Sequence, residues 1–203
     1  MSKGEQTRQR IIAEAASLFN RRGYHGGSLQ DLMEATGLEK GGIYRHFSSK
    51  EELAALAFDH AWNEGLEARQ QGLDDISNNV DKLKQLITNF VRRRPSIPGG
   101  CPLLNTAVDS DDGNPLLRDH ARKALRAWQE RMESIIADGI KSRQMRAGVD
   151  ARRLANLIIA SLEGALMISR LERNDEALRN AQQHLHAYME AEVRKTNKLK
   201  AGK

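Results

Sequence analysis

Residues 39–50 read Glu39-Lys40-Gly41-Gly42-Ile43-Tyr44-Arg45-His46-Phe47-Ser48-Ser49-Lys50, a short run of hydrogen-bonding and cationic side chains around two positions with no side chain. On a helix Lys40 and Tyr44 stack one turn apart, and Gly41 and Arg45 share the adjacent line. A glycine inside a helix costs up to about 1 kcal/mol relative to alanine, and the close approach of the helix end to another surface gives that cost a reason. The Arg45 guanidinium fork matches the acceptor pair of a guanine in the major groove, a contact worth roughly 1–3 kcal/mol of discrimination. Ser28 and Lys50 stand at helix starts, where free amides and the helix dipole attract phosphate, and Tyr44 and His46 bring a hydroxyl and an imidazole to the same face. Glu39 suits the helix dipole but repels phosphate, unless it accepts from a cytosine amino group. The bland alternatives are a plain helical corner for the whole run and half-buried surface positions for Tyr44 and His46.

The elements that must hold these residues are helices. The four prolines, Pro95, Pro98, Pro102 and Pro115, cluster in one region, period-two alternation is missing, and three-four spacing recurs throughout, so the chain reads as all-α with about nine helices. Ile11, Ile12, Ala15, Leu18 and Phe19 form the stripe of a first helix that should end near Gly23. A short helix over about Leu29–Thr36, capped by Ser28 and stopped by Gly37, precedes a second over about Lys40–Phe47, the layout of a helix-turn-helix. Leu32, Leu38, Ile43 and Phe47 should fill the angle between them. Ser49 and Glu52 form a capping box that opens a longer fourth helix with Leu53, Leu56, Phe58 and Trp62 on its inner side. Further helices are expected over Val80–Arg94, Pro102–Ser110, Pro115–Ser142, Ala151–Glu172 and Asp175–Arg194.

The 203 residues are 39% hydrophobic and 29% charged with a net charge of +5, an ordinary globular composition with a mild leaning towards an anionic partner. That charge is unevenly placed. Residues 1–50 hold eight Lys/Arg against five Asp/Glu, residues 51–193 hold 19 against 22, and 194–203 hold five bases and no acid. A basic head on a slightly acidic body, with a basic tail over 195–203 read as disordered, follows. A single cysteine, Cys101, excludes an internal disulfide framework and fits a reducing compartment. No unbroken apolar run approaches a membrane span, and the start Met1-Ser2-Lys3-Gly4 leads into a polar stretch without a secretory apolar core, so no membrane partner and a cytoplasmic location are expected.

The run Gly37-Leu38-Glu39-Lys40-Gly41-Gly42-Ile43-Tyr44-Arg45-His46-Phe47, followed by Ser49-Lys50-Glu51-Glu52-Leu53 and preceded by Gly23-Tyr24 and Ser28, resembles the DNA-binding head of the tetracycline-repressor (TetR) family. The resemblance is specific over about 45 residues; beyond residue 60 it rests on length and helical layout. It implies a helix-turn-helix domain over 1–50 and a helical effector-binding and dimerisation domain over 51–194. Ser28, Glu39, Lys40, Gly41, Gly42, Tyr44, Arg45, His46 and Lys50 become the DNA-facing set, with Glu39 where the family usually carries a small hydroxyl residue. A homodimeric, non-enzymatic regulator follows, most simply a repressor on a palindromic double-stranded operator, released by a small-molecule effector and needing no cofactor or metal.

Two body features belong to this expectation. The helix from Ala151 is apolar around much of its circumference and carries small residues at Ala160, Ser161, Gly164 and Ala165; with Leu157 and Ile168 these make a dimer face. Phe58, Trp62, Phe90, Leu104, Trp128 and Met132 lie on helices that surround an effector pocket in the family, although for each of them plain core packing is the simpler reading. Cys101, at a loop-to-helix start after Gly99 and Gly100, is either a sensor thiol activated by the dipole or an inert buried cysteine. Asp109, Asp111 and Asp112 form an acidic cluster read as a solvated turn.

Overall fold

The computed structural model describes residues 2–92 and 96–196 of the chain. The described residues are helical and contain no strand. Nine α-helices follow in order: α1 Lys3–Gly26, α2 Leu29–Thr36, α3 Lys40–Tyr44, α4 Lys50–Gln70, α5 Asn79–Arg92, α6 Pro102–Asp109, α7 Pro115–Lys141, α8 Ala151–Glu172 and α9 Glu176–Tyr188, the last running into a π-helical turn at Met189–Val193. The all-α expectation holds, with two local differences. α1 continues to Gly26 but kinks at Gly23, whose φ is 73°. α3 stops at Tyr44 instead of Phe47, because Phe47 is drawn into the core and the chain tightens into a turn over Arg45 and His46. The tail expected over 195–203 lies outside the described residues from 197 onward, as do Arg93 and Arg94.

Two compact units divide the chain. One holds residues 2–68 and 96–127, the other 69–92 and 128–196, so α4 and α7 each give residues to both. In the first, Ile11, Ile12 and Ala15 of α1 meet Leu32 of α2, Ile43 and Phe47 around α3, and Leu53 and Ala57 of α4 in one buried cluster. This is the packing that the i, i+1, i+4 stripe of α1 demands. α6 lies along α1, with Pro102 at its first position, where a missing N–H costs nothing.

In the second unit α8 packs on α9 and α5, burying Leu154, Ile158 and Leu162 with Leu185 and Met189. Asn89 Nδ2 donates to the carbonyls of Arg69 and Gln71, both at 2.9 Å, satisfying orphan acceptors at the end of α4. The Arg194 guanidinium donates to Glu190, Asp81 and Asn78, closing the C-terminal turn onto α5. Hydrogen bonds from Arg194 and Lys84 pull the Glu190 carboxyl down to about 2. By length and composition α8 is apolar enough to cross a membrane, a property hidden in the sequence because polar residues interrupt the run; 44% of its most apolar 18-residue stretch is buried.

Candidate nucleic-acid interface

The helix-turn-helix is built from local rules. Ser28 accepts from the Asp31 amide while Asp31 accepts from the Ser28 amide, a reciprocal box at the start of α2, and Gly37 closes α2 in the left-handed conformation at φ 66°. Arg10 of α1 donates to the Thr36 carbonyl at 2.9 Å, taking another orphan acceptor of α2. Arg22 pairs with Asp31, fixing the entry to α2. The Arg8 guanidinium sits 5.2 Å from the Phe47 ring centre, so the end of the motif is held to α1 as well. At the start of α4, the Glu52 amide donates to Ser49 Oγ at 3.1 Å, and the Glu52 carboxylate accepts from the Ser48 amide at 2.7 Å.

The predicted contact residues separate into two groups. Glu39, Lys40, Gly41 and Arg45 are exposed on α3 and its flanks, and Gly42, Tyr44 and His46 are half-buried beside them. Glu39 holds the N-cap position without a side-chain cap bond, leaving its carboxylate free to meet solvent or a base. Among the described residues, no atom beyond its own helical stretch lies within 4 Å of where a Cβ on Gly41 would stand. Ser28 is exposed, but its hydroxyl serves the capping box.

Lys50, half-buried at the start of α4, has partners within the protomer. Its ammonium donates to the Tyr24 carbonyl at 2.8 Å and lies 4.4 Å from the Tyr24 ring centre, and burial pushes its pKa down. Tyr24 is the residue that periodicity missed: its hydroxyl donates to Glu51 and its amide to Asp109, partners 27 and 85 residues away. Burial first, then the hydrogen bond to the Glu51 carboxylate, raise the phenol to about 12. A phenol whose folded-state pKa is raised contributes stability that is present below its ordinary value near 10 and lost as pH climbs through about 12. Ultraviolet titration of the folded protein is therefore expected to show one tyrosine ionising near 12 and its loss in Tyr24→Phe; three tyrosines ionising together near 10 would contradict the contact.

The residues expected at an effector pocket lie in both units. In the first, Phe58, Trp62 and Cys101 are buried and Leu104 is half-buried. Phe58 forms part of the wall of a crevice of about 30 Å³ between α1, α4 and α6, room for little more than one water. At 2% exposure the Cys101 thiol is shielded, unlike the accessible thiols that react with oxidants. In the second unit the Phe90 and Trp128 rings stack 6.0 Å apart, with the Arg69 guanidinium 4.8 and 4.9 Å from their centres, and Met132 is buried. Of the dimer-face set, Leu157, Ala160 and Ile168 are exposed, Ser161 and Gly164 half-buried, and Ala165 faces the interior of the protomer at 7% exposure. Met167 and Leu171, outside the expected dimer face, add to the exposed apolar surface. Among the described residues no group of His, Cys, Asp and Glu could hold a metal ion.

A three-helix head with a capped helix-turn-helix, presenting lysine and arginine beside a bare glycine, defines a DNA-binding protein of the helix-turn-helix class. The comparisons with known proteins agree. Residues 11–57 match the family model "Bacterial regulatory proteins, tetR family", and 79–185 match "Tetracyclin repressor-like, C-terminal domain". A TetR transcriptional regulator from Chloroflexus aurantiacus is 45% identical, with 97% of this chain and 100% of that one covered at a TM-score of 0.91. A TetR-family regulator from Cytophaga hutchinsonii is 33% identical, with 97% and 99% covered at 0.89. The repressor DhaR of Mycobacterium sp. (strain GP1) is 27% identical over 172 residues, 84% of this chain and 86% of that protein. The chain belongs to the TetR family of transcriptional regulators.

Proposed function

We propose that the protein is a homodimeric repressor that binds a palindromic operator through α3 and is released from it by a small-molecule effector. Residues 1–50 carry the recognition and 51–194 the dimer and effector functions, in the cytoplasm, where the DNA is. The observation that carries the DNA half of this reading is the exposed face of α3, where Lys40 and Arg45 flank Gly41 and, among the described residues, no atom beyond its own helical stretch lies within 4 Å of where its Cβ would stand. Two such heads on a two-fold dimer meet half-sites about 34–36 Å apart. The relative named as a repressor supports the direction of control. For the effector half, Gly65 of α4 is buried, yet among the described residues no atom beyond its own helical stretch lies within 4 Å of where its Cβ would stand. Effector binding releases the operator only if the effector prefers a conformation whose heads no longer fit adjacent grooves.

Selection from random duplex DNA should enrich a palindrome bound with an affinity that falls steeply as salt rises. Recovery of no palindrome, or binding indifferent to salt, rejects the reading. Gly41→Ala sharpens the test, because the two expected effects have opposite signs. The alanine gains helix propensity, stabilising the fold by up to about 1 kcal/mol, while its methyl group holds α3 off the groove floor and weakens the enriched duplex by roughly tenfold. Urea titration and fluorescence anisotropy on the same preparation measure the two quantities.

A further inference from the structure

All three polar groups of Tyr24 are taken by charged side chains from two other helices. Its amide donates to Asp109 Oδ2 at 2.7 Å, its carbonyl accepts from Lys50 Nζ at 2.8 Å, and its hydroxyl donates to Glu51. Lys50 and Glu51 open α4 immediately after the recognition segment, and Tyr24 stands four residues before Ser28, the cap of α2. The Tyr24 contacts to α4 therefore bracket residues 28–47 at both ends. Asp109 is the last residue of α6 and closes the same bracket from a third side. Its carboxylate lies 3.0–3.3 Å from where a Cβ on Gly23 would stand, directly against the kink of α1.

The middle of α6 is fixed to α1 too. Asn105 Nδ2 donates to the Asn20 and Gly99 carbonyls at 3.0 and 2.9 Å, so α6 is registered along α1 and Asp109 cannot drift while Asn105 holds. Asp109 is half-buried, whereas its neighbours Asp111 and Asp112 are exposed; the acidic run is a solvated turn only from its third residue on.

We propose that Asp109 is a positioning residue for DNA binding, setting through the Tyr24 amide the orientation in which α2 and α3 are presented. Its carboxylate oxygen is engaged by the Tyr24 amide, and its formal charge works against DNA. Removing a carboxylate that acted only through charge would tighten DNA binding or leave it unchanged; removing one that orders the bracket must weaken it. That opposition of sign distinguishes the two roles. The inference rests on the DNA-binding reading above, and its test includes a readout that does not.

Asp109→Ala, Asp109→Asn, Asp109→Glu and the control pair Asp111→Asn and Asp112→Asn are compared with the wild type by amide hydrogen exchange and by anisotropy on the selected duplex. In the alanine variant, amides of Tyr24 and of residues 28–47 should exchange faster, and affinity should fall about tenfold, within the usual range for coupling between sites. Asparagine keeps an acceptor in place and should restore affinity to within about threefold, whereas glutamate moves the acceptor by a methylene group and should not. The control pair should bind as well as the wild type or better. Should the alanine variant fail to fold, the asparagine and glutamate variants pose the same question. Unchanged exchange over residues 24–47 in the alanine or glutamate variant overturns the proposal whether or not any duplex binds; equal or tighter duplex binding by that variant overturns it as well. Absence of binding by the wild type counts against the operator reading alone, because the exchange measurement still decides the role of Asp109.

Discussion

Gly99→Ala is expected to remove a large part of the folding stability, about 3 kcal/mol or more, which for a chain of this size lowers the melting temperature by about 10 °C. Two costs add at this position. The backbone is held at φ 119°, a conformation that side-chain-bearing residues avoid, and a Cβ there would lie 2.4 Å from the Asn20 carbonyl oxygen and 2.7 Å from its carbon. Neither atom is the end of a flexible chain. Asn20 sits in α1, and its side-chain amide donates to the Pro98 and Gly100 carbonyls at 2.9 and 3.2 Å, so the loop cannot retreat without breaking both bonds. Relief would also displace the Gly99 carbonyl, which accepts from Asn105. Gly113→Ala is the matched control: its nearest non-bonded neighbour would be 3.4 Å away, an ordinary contact, and it should change stability by less than about 0.5 kcal/mol. Urea midpoints for the two variants decide the matter, and a Gly99→Ala midpoint equal to that of the wild type would show that the loop yields freely.

The Gly99 contact illustrates which features were legible in the sequence. Helices α1 to α4 follow from rules that act within a few residues: the stripe of Ile11, Ala15 and Leu18, the caps at Ser28 and Ser49, the stop at Gly37. The exposed set Glu39, Lys40, Gly41 and Arg45 follows from the same rules, because helix periodicity assigns the side chains of a short capped helix to faces. What escaped is non-local. Tyr24 is a pivot only because Asp109 reaches it across 85 positions, and no pattern within a window encodes that contact. The internal partners of Lys50 escaped for the same reason. A lysine at a helix start satisfies the phosphate rule, but that rule does not reveal the Tyr24 carbonyl and ring, which its ammonium meets from 26 positions away. Ala165 was taken as part of an outward small-residue line, yet one position beyond Gly164 the helix has turned about 100° and meets the interior. Asp109 looked like turn chemistry because its neighbours are; only burial separates it from them.

A glycine that the fold itself does not require points outside the protomer, and Gly164 makes the strongest case. It lies inside α8, among the described residues no atom beyond its own helical stretch stands within 4 Å of its would-be Cβ, and it interrupts an outward line formed by Leu157, Ser161, Ile168 and Leu171 at the 3.5-residue spacing that suits helix-on-helix packing. Leu171 is 75% exposed and Ile168 47%, a run of apolar surface that a monomer rarely leaves in water. Gly164→Gln should therefore improve the isolated protomer slightly, by a few tenths of a kcal/mol of helix propensity, while blocking close approach of a second α8. The substitution adds no charge, so it cannot act on DNA electrostatically. Sedimentation should report a shift from dimer to monomer, and affinity for a palindrome should fall about a hundredfold or more, because the second half-site is no longer bound at high effective concentration. A half-site duplex should be bound as by the wild-type head. If Gly164→Gln sediments as a dimer and binds the palindrome unchanged, the open space beside Gly164 is not where two protomers meet, and the exposed line on α8 serves some other contact.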